Sequence, residues 1–395
     1  MNKETGNVSG IVSGDVFKVG LIYSLTKPIA GGRISRRFRR GGRQALRFAE
    51  RQNSRVRDMT IKDIAKNCSV SVSTVSRVLN HHPDVSEEVR QRVLDEVERC
   101  AYIPNNSARD LVKTRSDAIG VVVRGNGNLF FSSVLKTVSD EIERYGYTMV
   151  LHYIGSDADE VKAGAILERE KKLPGLLFLG GRFDYTPSEL SVIGIPFVCC
   201  SYTNYFGSLD EKDYSSVSID DYATAYRATE ELIRRGHRRI AAVIPSRNDR
   251  SISELRWRGF EDALRENGIE PDETLVEETG GCFEMPEAYE GTKRLLKRTE
   301  DFTALLMLSD TTAMAAMKAL EDHGKHIPQD VSVIAIDGLN VSEYAIPTLT
   351  TMIQPAEEMG RESVCILMNM LKDPAYTRHK LLNAPLREGA SVRSI

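Results

Sequence analysis

Residues 69–80 read SVSVSTVSRVLN, and three of them, Val72, Ser73 and Arg77, have side chains suited to reading the edges of base pairs. A guanidinium can form two hydrogen bonds to the O6 and N7 of guanine, and small neighbours let the backbone come close to the groove. On a helix beginning after Ser71, Val75, Val78 and Leu79 fall at i, i+3 and i+4, one apolar stripe. Val72, Ser73, Ser76, Arg77 and Asn80 fall on the other face. A plain three-helix cap with an arginine on a solvated face fits the same pattern.

Such a face works only if other elements hold it. Upstream, TIKDIAKNC offers Thr60 as an N-cap with Asp63 three residues on, and Ile61, Ile64, Ala65 and Cys68 at helical spacing. The short CSVS link then makes a helix-turn-helix, whose second helix lies in the major groove when bound to DNA. Downstream, Ser86 precedes EEVRQRVLDEVERCAY, where Val89, Val93 and Val97 recur every four residues and Glu87 and Glu88 sit near the positive end of the helix dipole. These three short helices predict one small α-helical unit.

The chain has 395 residues and a formal charge of −3, unevenly spread. Residues 1–58 hold 13 Lys and Arg against 4 Asp and Glu, or +9, which leaves 40 against 52, or −12, for the rest. The acidic bulk is therefore not a nucleic-acid surface. Six cysteines without CxxC or metal-ligand spacing point to a reduced cytoplasm. No apolar run is long enough to span a membrane. VFKVGLIYSL is short and interrupted by Lys18, and SRRFRR is followed by polar sequence, so export is not expected. The first 58 residues read either as a basic arm adding phosphate contacts or as translated upstream sequence before a start at Met59, and are expected to be disordered.

From residue 117 onward, apolar runs such as AIGVVV, PGLLFLGG and PFVCCSY alternate with helical stretches, the rhythm of a parallel sheet covered on both faces. After SSVSID the rhythm starts again with RRIAAVIP, ALLMLSD and VSVIAIDG. Two doubly wound halves follow, and their ligands bind at the carboxyl ends of the strands.

The succession TIKDIA, VSVSTVSRVLN, YIPN, ARDL, GHRRIA, RWRGF, PQDVSVIAID and PTLTTMIQP resembles the lactose-repressor (LacI/GalR) family of bacterial transcription regulators over residues 59–395. The resemblance implies an N-terminal all-α helix-turn-helix DNA-binding domain over 59–104 and a hinge helix over 105–116. It also implies a periplasmic-binding-protein-like α/β core over 117–395, with one subdomain at about 117–219 and 348–373 and the other at about 220–347 and 374–395. It implies a homodimer on a pseudopalindromic operator in double-stranded DNA, a repressor whose affinity is set by a small-molecule effector such as a sugar, and no cofactor or metal. The ending GASVRSI carries no heptad, so a dimer rather than a tetramer is expected.

The same resemblance assigns base contacts to Val72, Ser73 and Arg77, phosphate contacts to Thr60, Ser71, Thr74, Ser76, Asn80 and Ser86, and further DNA contacts to Asn105 and Leu111, the last a minor-groove wedge. Asp110 and Val112 depart from the basic character expected beside that leucine. Phe130, Arg250, Arg256, Phe283 and Asp310 match effector-contact positions; aromatic faces stack on rings, and Arg and Asp make charge-assisted hydrogen bonds. Each has a plainer reading: core for the phenylalanines, an ion pair for Arg256, an N-cap for Asp310. Ser201 stands where many sugar-responsive relatives carry an acid. RGNGN lacks the third glycine of a dinucleotide loop, and His323 and His326 have the wrong spacing for a helical metal pair, so no enzyme is expected. The competing reading, a transport receptor with the same core, calls for a signal peptide and no helix-turn-helix.

Overall fold

The computed structural model describes residues 60–79, 82–100, 116–125, 128–182, 184–281 and 283–395. They fall into two units, a headpiece before the hinge region and a core after it. No helix among the described residues is long and apolar enough to cross a membrane.

In the headpiece, α1 (Ile61–Asn67) starts at Thr60, whose backbone N–H and hydroxyl both donate to Asp63 Oδ2 at 2.9 and 2.7 Å. The chain turns through Ser69, at a left-handed φ of 55°, into α2 (Val72–Leu79) and then α3 (Glu87–Arg99). Ile64, Val75, Val78 and Val93 are fully buried in one core, with Leu79, Val89 and Val97 packed partly against it. Ser86 holds the N-cap position of α3, but its side chain makes no capping bond.

The core has two lobes. In the first, β1 (Ala118–Arg124), α4 (Leu129–Arg144), β2 (Thr148–Ile154), α5 (Glu160–Lys171), β3 (Leu176–Leu179), α6 (Pro187–Leu190), β4 (Phe197–Cys200) and β5 (Ser215–Ile219) follow in order. The second contains α7 (Asp221–Arg234), β6 (Ile240–Ile244), α8 (Ile252–Glu266), β7 (Val276–Glu278), α9 (Met285–Arg298), β8 (Ala304–Met307), α10 (Asp310–Asp322), β9 (Ser332–Asp337) and β10 (Thr350–Ile353). The chain then returns to the first lobe with α11 (Ala356–Lys372) and β11 (His379–Leu382), and ends in the second with β12 (Leu386–Arg387). The sheet orders are β11-β5-β4-β3-β1-β2 and β12-β10-β9-β8-β6-β7. Their pairings are parallel except for β12 against β10. Strands β3, β4, β6 and β8 are buried along their whole length, which explains their unbroken apolar runs.

The lobe boundaries expected at 348 and 374 are displaced. Thr350–Ile353 pairs with β9, Thr350 opposite Ile334, so it belongs to the second sheet. His379–Leu382 lies beside β5 and closes the edge of the first, with Leu382 in that lobe's apolar core. The lobes are thus 117–219 with 356–382, and 220–353 with 386–395. The physical reason is ladder pairing: β10 extends the second sheet from β9 before the chain crosses back, and after the crossing β11 pairs with β5.

Candidate functional site

The exposed face of α2 is built by its first turn. Ser71 Oγ accepts from Thr74 N at 3.1 Å and lies 2.7 Å from Ser73 Oγ and 2.8 Å from Thr74 Oγ1, so three hydroxyls form one web at the helix start. Val72, at 41 % exposure, Ser73 and Arg77 are exposed on the face opposite the buried Val75 and Val78. Thr60, Ser71 and Ser86 are exposed, and Thr74 and Ser76 are half-buried. Asn80, Asn105 and Leu111, with the hinge segment 105–115, lie outside the described residues.

A cavity of about 330 Å³ opens between the two lobes of the core. Its first-lobe wall is Arg124, Asn128, Phe131, Asp157, Gly180 and Ser201; its second-lobe wall is Asp249, Ser251, Ile252, Phe283 and Glu284. All stand at or beyond the carboxyl ends of strands, where a parallel sheet presents its ligand sites. Gly180, at φ 72°, admits the ring of Phe131; a Cβ there would come within 2.9 Å of it. Three carboxylates face the cavity against one guanidinium, and Arg124 Nε is itself 3.9 Å from Glu160. Asp249, an exposed residue at the cavity wall, accepts from the Ser251 hydroxyl and N–H at 2.7 and 3.0 Å.

Of the five residues expected to touch an effector, the wall contains Phe283 alone. Phe130 turns into the first-lobe core at 1 % exposure, and its neighbour Phe131 takes the wall position, because Asn128 starts α4 by accepting from Phe130 N at 2.9 Å and so fixes the helix phase. Arg256 is 1 % exposed; it donates through Nε to Asp221 Oδ1 at 2.8 Å and through Nη1 to the Leu308 carbonyl. Asp310 is fully buried and accepts from Leu339 N, Ser342 Oγ and Thr351 Oγ1, tying α10 to the segments after β9 and in β10. It is not the cap of α10; Ser309 is, accepting from Thr312 N at 3.2 Å. Arg250 points outward beside Asp184, 3.5 Å away. Beneath Asp310, Asp337 sits at a backbone φ of 136° and accepts from Gln354 Nε2 at 2.7 Å. Burial pushes its carboxyl up to about 8, against the pull of Arg256 and with the repulsion of Asp310.

Comparison with known proteins gives this geometry its family. Residues 60–105 match the model of bacterial regulatory proteins of the lacI family, and 229–392 match a periplasmic binding protein-like domain. The HTH-type transcriptional regulator MalR of Clostridium butyricum is 38 % identical over 85 % of this chain and 100 % of its own. The chain belongs to the lacI family. Among solved structures, the transcriptional regulator CelR–cellobiose complex aligns with a TM-score of 0.62 at 29 % identity, over 84 % of this chain and 99 % of that one. The lac repressor dimer bound to operator and the anti-inducer ONPF aligns at 0.66 and 24 % identity, over 85 % and 100 %, a likeness of fold.

As a lacI-family member the chain is a DNA-binding transcription regulator with a helix-turn-helix headpiece and a two-lobed α/β core. The wall residues Arg124, Asn128, Asp157, Asp249 and Glu284 were not singled out from the sequence. A signal for them exists: each stands in or beside a short polar or glycine-bearing link after a strand run, RGNGN, GSD, RNDRS and GGCFE. Arg124, Gly125 and Asn128 of RGNGN, set aside as a nucleotide loop, thus border the cleft.

Proposed function

We propose that this regulator acts in the cytoplasm as a homodimeric repressor, and that a neutral sugar held in the interlobe cavity controls its operator affinity without any chemical step. The observation that carries the reading is a cavity walled by both lobes, so that a bound molecule favours one lobe arrangement over another. Asp157, Asp249 and Glu284 accept hydrogen bonds from hydroxyls, Asn128, Ser201 and Ser251 both donate and accept, and Phe131 and Phe283 offer flat apolar faces. This is a lining for polyols; the acidic excess disfavours phosphorylated or carboxylated ligands. That a related regulator was solved with cellobiose agrees with it. In the headpiece, Val72, Ser73 and Arg77 read bases while Thr60, Ser71, Thr74, Ser76 and Ser86 position the domain on phosphates. Tyr344 and Ile346, 84 % and 94 % exposed, with Val341 beside them in sequence, offer apolar surface that a second copy would cover.

The experiment is a thermal-shift and operator-binding screen of neutral disaccharides, cellobiose among them, beside their phosphorylated counterparts. A ligand at about 100 times its Kd adds about 2.7 kcal/mol of stability. Neutral sugars should stabilise the protein and change operator affinity. Stabilisation by the anionic set alone would overturn the assignment.

A further inference from the structure

We propose that Arg250 and Arg258, both anchored on Glu254 of α8, form a clasp across the mouth of the two lobes that sets how readily the cleft opens. Glu254 is 6 % exposed and uses both carboxylate oxygens: Oε2 accepts from Arg250 N at 2.9 Å and Oε1 from Arg258 Nη2 at 2.6 Å. Each arginine then reaches to the first lobe. Arg250 Nη1 lies 3.5 Å from Asp184 Oδ2, a carboxylate that Arg182 also holds at 2.9 Å. The Arg258 guanidinium stands 5.0 Å from the ring centre of Phe206 and 5.9 Å from that of Tyr205.

Three further features mark these contacts as built. Arg250 has a φ of 51°, a left-handed backbone that a long side chain rarely adopts and that the bond to Glu254 holds in place. The aromatic pair sits on the link between β4 and β5, residues 201–214, where Tyr205 and Phe206 meet edge to face at 4.9 Å. A Cβ at Gly207 would fall 2.5 Å from the Tyr185 carbonyl, so the link is pressed onto the lobe beneath it. Between the two arginines, Leu255 is 3 % exposed and Ile252 packs beside it, both inserted among first-lobe residues that include Tyr185, Tyr202 and Phe206. Parting the lobes must withdraw this wedge and break both arginine contacts. A partly exposed cation over a ring shifts an equilibrium about two- to fivefold, enough to tune the opening without locking it.

The clasp bears on the effector reading only because closure would enclose the ligand, so it is tested on the free full-length protein. Hydrogen exchange is followed by mass spectrometry in wild type, Arg258→Met, Phe206→Leu, their double variant, and Arg258→Lys. In the first two variants, peptides carrying the cavity wall around Asp157 and Glu284 should exchange about two- to fivefold faster. The double variant should be no faster than the larger single effect, since both remove the shared Arg258–Phe206 contact. Arg258→Lys should stay near wild type, and the strands Val121–Val123 and Leu305–Met307 should not change. Unchanged wall exchange, additive effects, or equal acceleration in the sheet strands would overturn the proposal.

Discussion

Arg256→Met should destabilise the second lobe by about 3–5 kcal/mol, the cost of leaving one member of a buried ion pair without its partner. Arg256 and Asp221 have side chains only 1 % exposed, and the guanidinium also satisfies the Leu308 carbonyl, so solvent cannot replace what the substitution removes. Burial already raises the Asp221 carboxyl, and Arg256 is the main opposing influence. Without it, the folded protein binds a proton at Asp221 that the unfolded chain releases near pH 4, so the deficit should grow as pH rises above about 4. Trp257, the one tryptophan of the chain, is the next residue and 5 % exposed, so its fluorescence follows urea unfolding of this lobe. Asp221→Asn combined with Arg256→Met removes both charges and should recover most of the loss, since buried pairs are often neutral against apolar replacement. A single-variant cost under about 1 kcal/mol, or a double variant no better than the single, would refute the structural role. A double variant that regains stability yet has lost its ligand response would show that Arg256 serves the cleft as well.

Asp337→Asn should flatten the dependence of stability on pH. With a folded value of about 8 against about 4 unfolded, native Asp337 holds its proton across that window, so wild type loses stability as pH rises through it and the variant does not. Parallel urea-midpoint curves from about pH 5 to 8 would contradict this. Arg77→Ala should weaken operator binding by about 1–3 kcal/mol and relax preference at one base position per half-site, with little change on random DNA. A gel-shift series showing equal loss on both would remove Arg77 from base reading.

The parts of the molecule that repeat a strong period were legible in the sequence. The apolar stripe Val75 and Val78 is buried as its spacing requires, and the unbroken runs around β1, β3, β6 and β9 are the central strands of two sheets. The two edge strands supplied after the chain crosses back were not legible. β11 reads HKLL and is largely exposed, and β12 has two residues, so neither carries a periodic signal. Side-chain direction was legible only in part. Phe130 and Phe131 are equivalent by composition, and the phase of α4, set by a hydrogen bond at Asn128, decides which of them meets the cavity. Arg256 lies within α8 and Asp310 opens α10 just after β8, yet three-dimensional partners far away in sequence, Asp221, Ser342 and Thr351, capture them.

The return of the chain from the second lobe to the first has a consequence for the order in which a ribosome delivers the parts. The first lobe's apolar core includes Met359, Val364, Leu367 and Leu382, all made after residues 220–353 of the other lobe. Until they emerge, Leu177 and Val198 have α4 but not α11 to pack against, and β5 is an open sheet edge. The second lobe waits in the same way for β12 and for Val392. Neither lobe can mature on the nascent chain until residues 356–395 have been made, so both are completed almost together. A chain stalled or clipped before Met359 would therefore present two unfinished sheets, a target for chaperones and proteases rather than a half-active regulator.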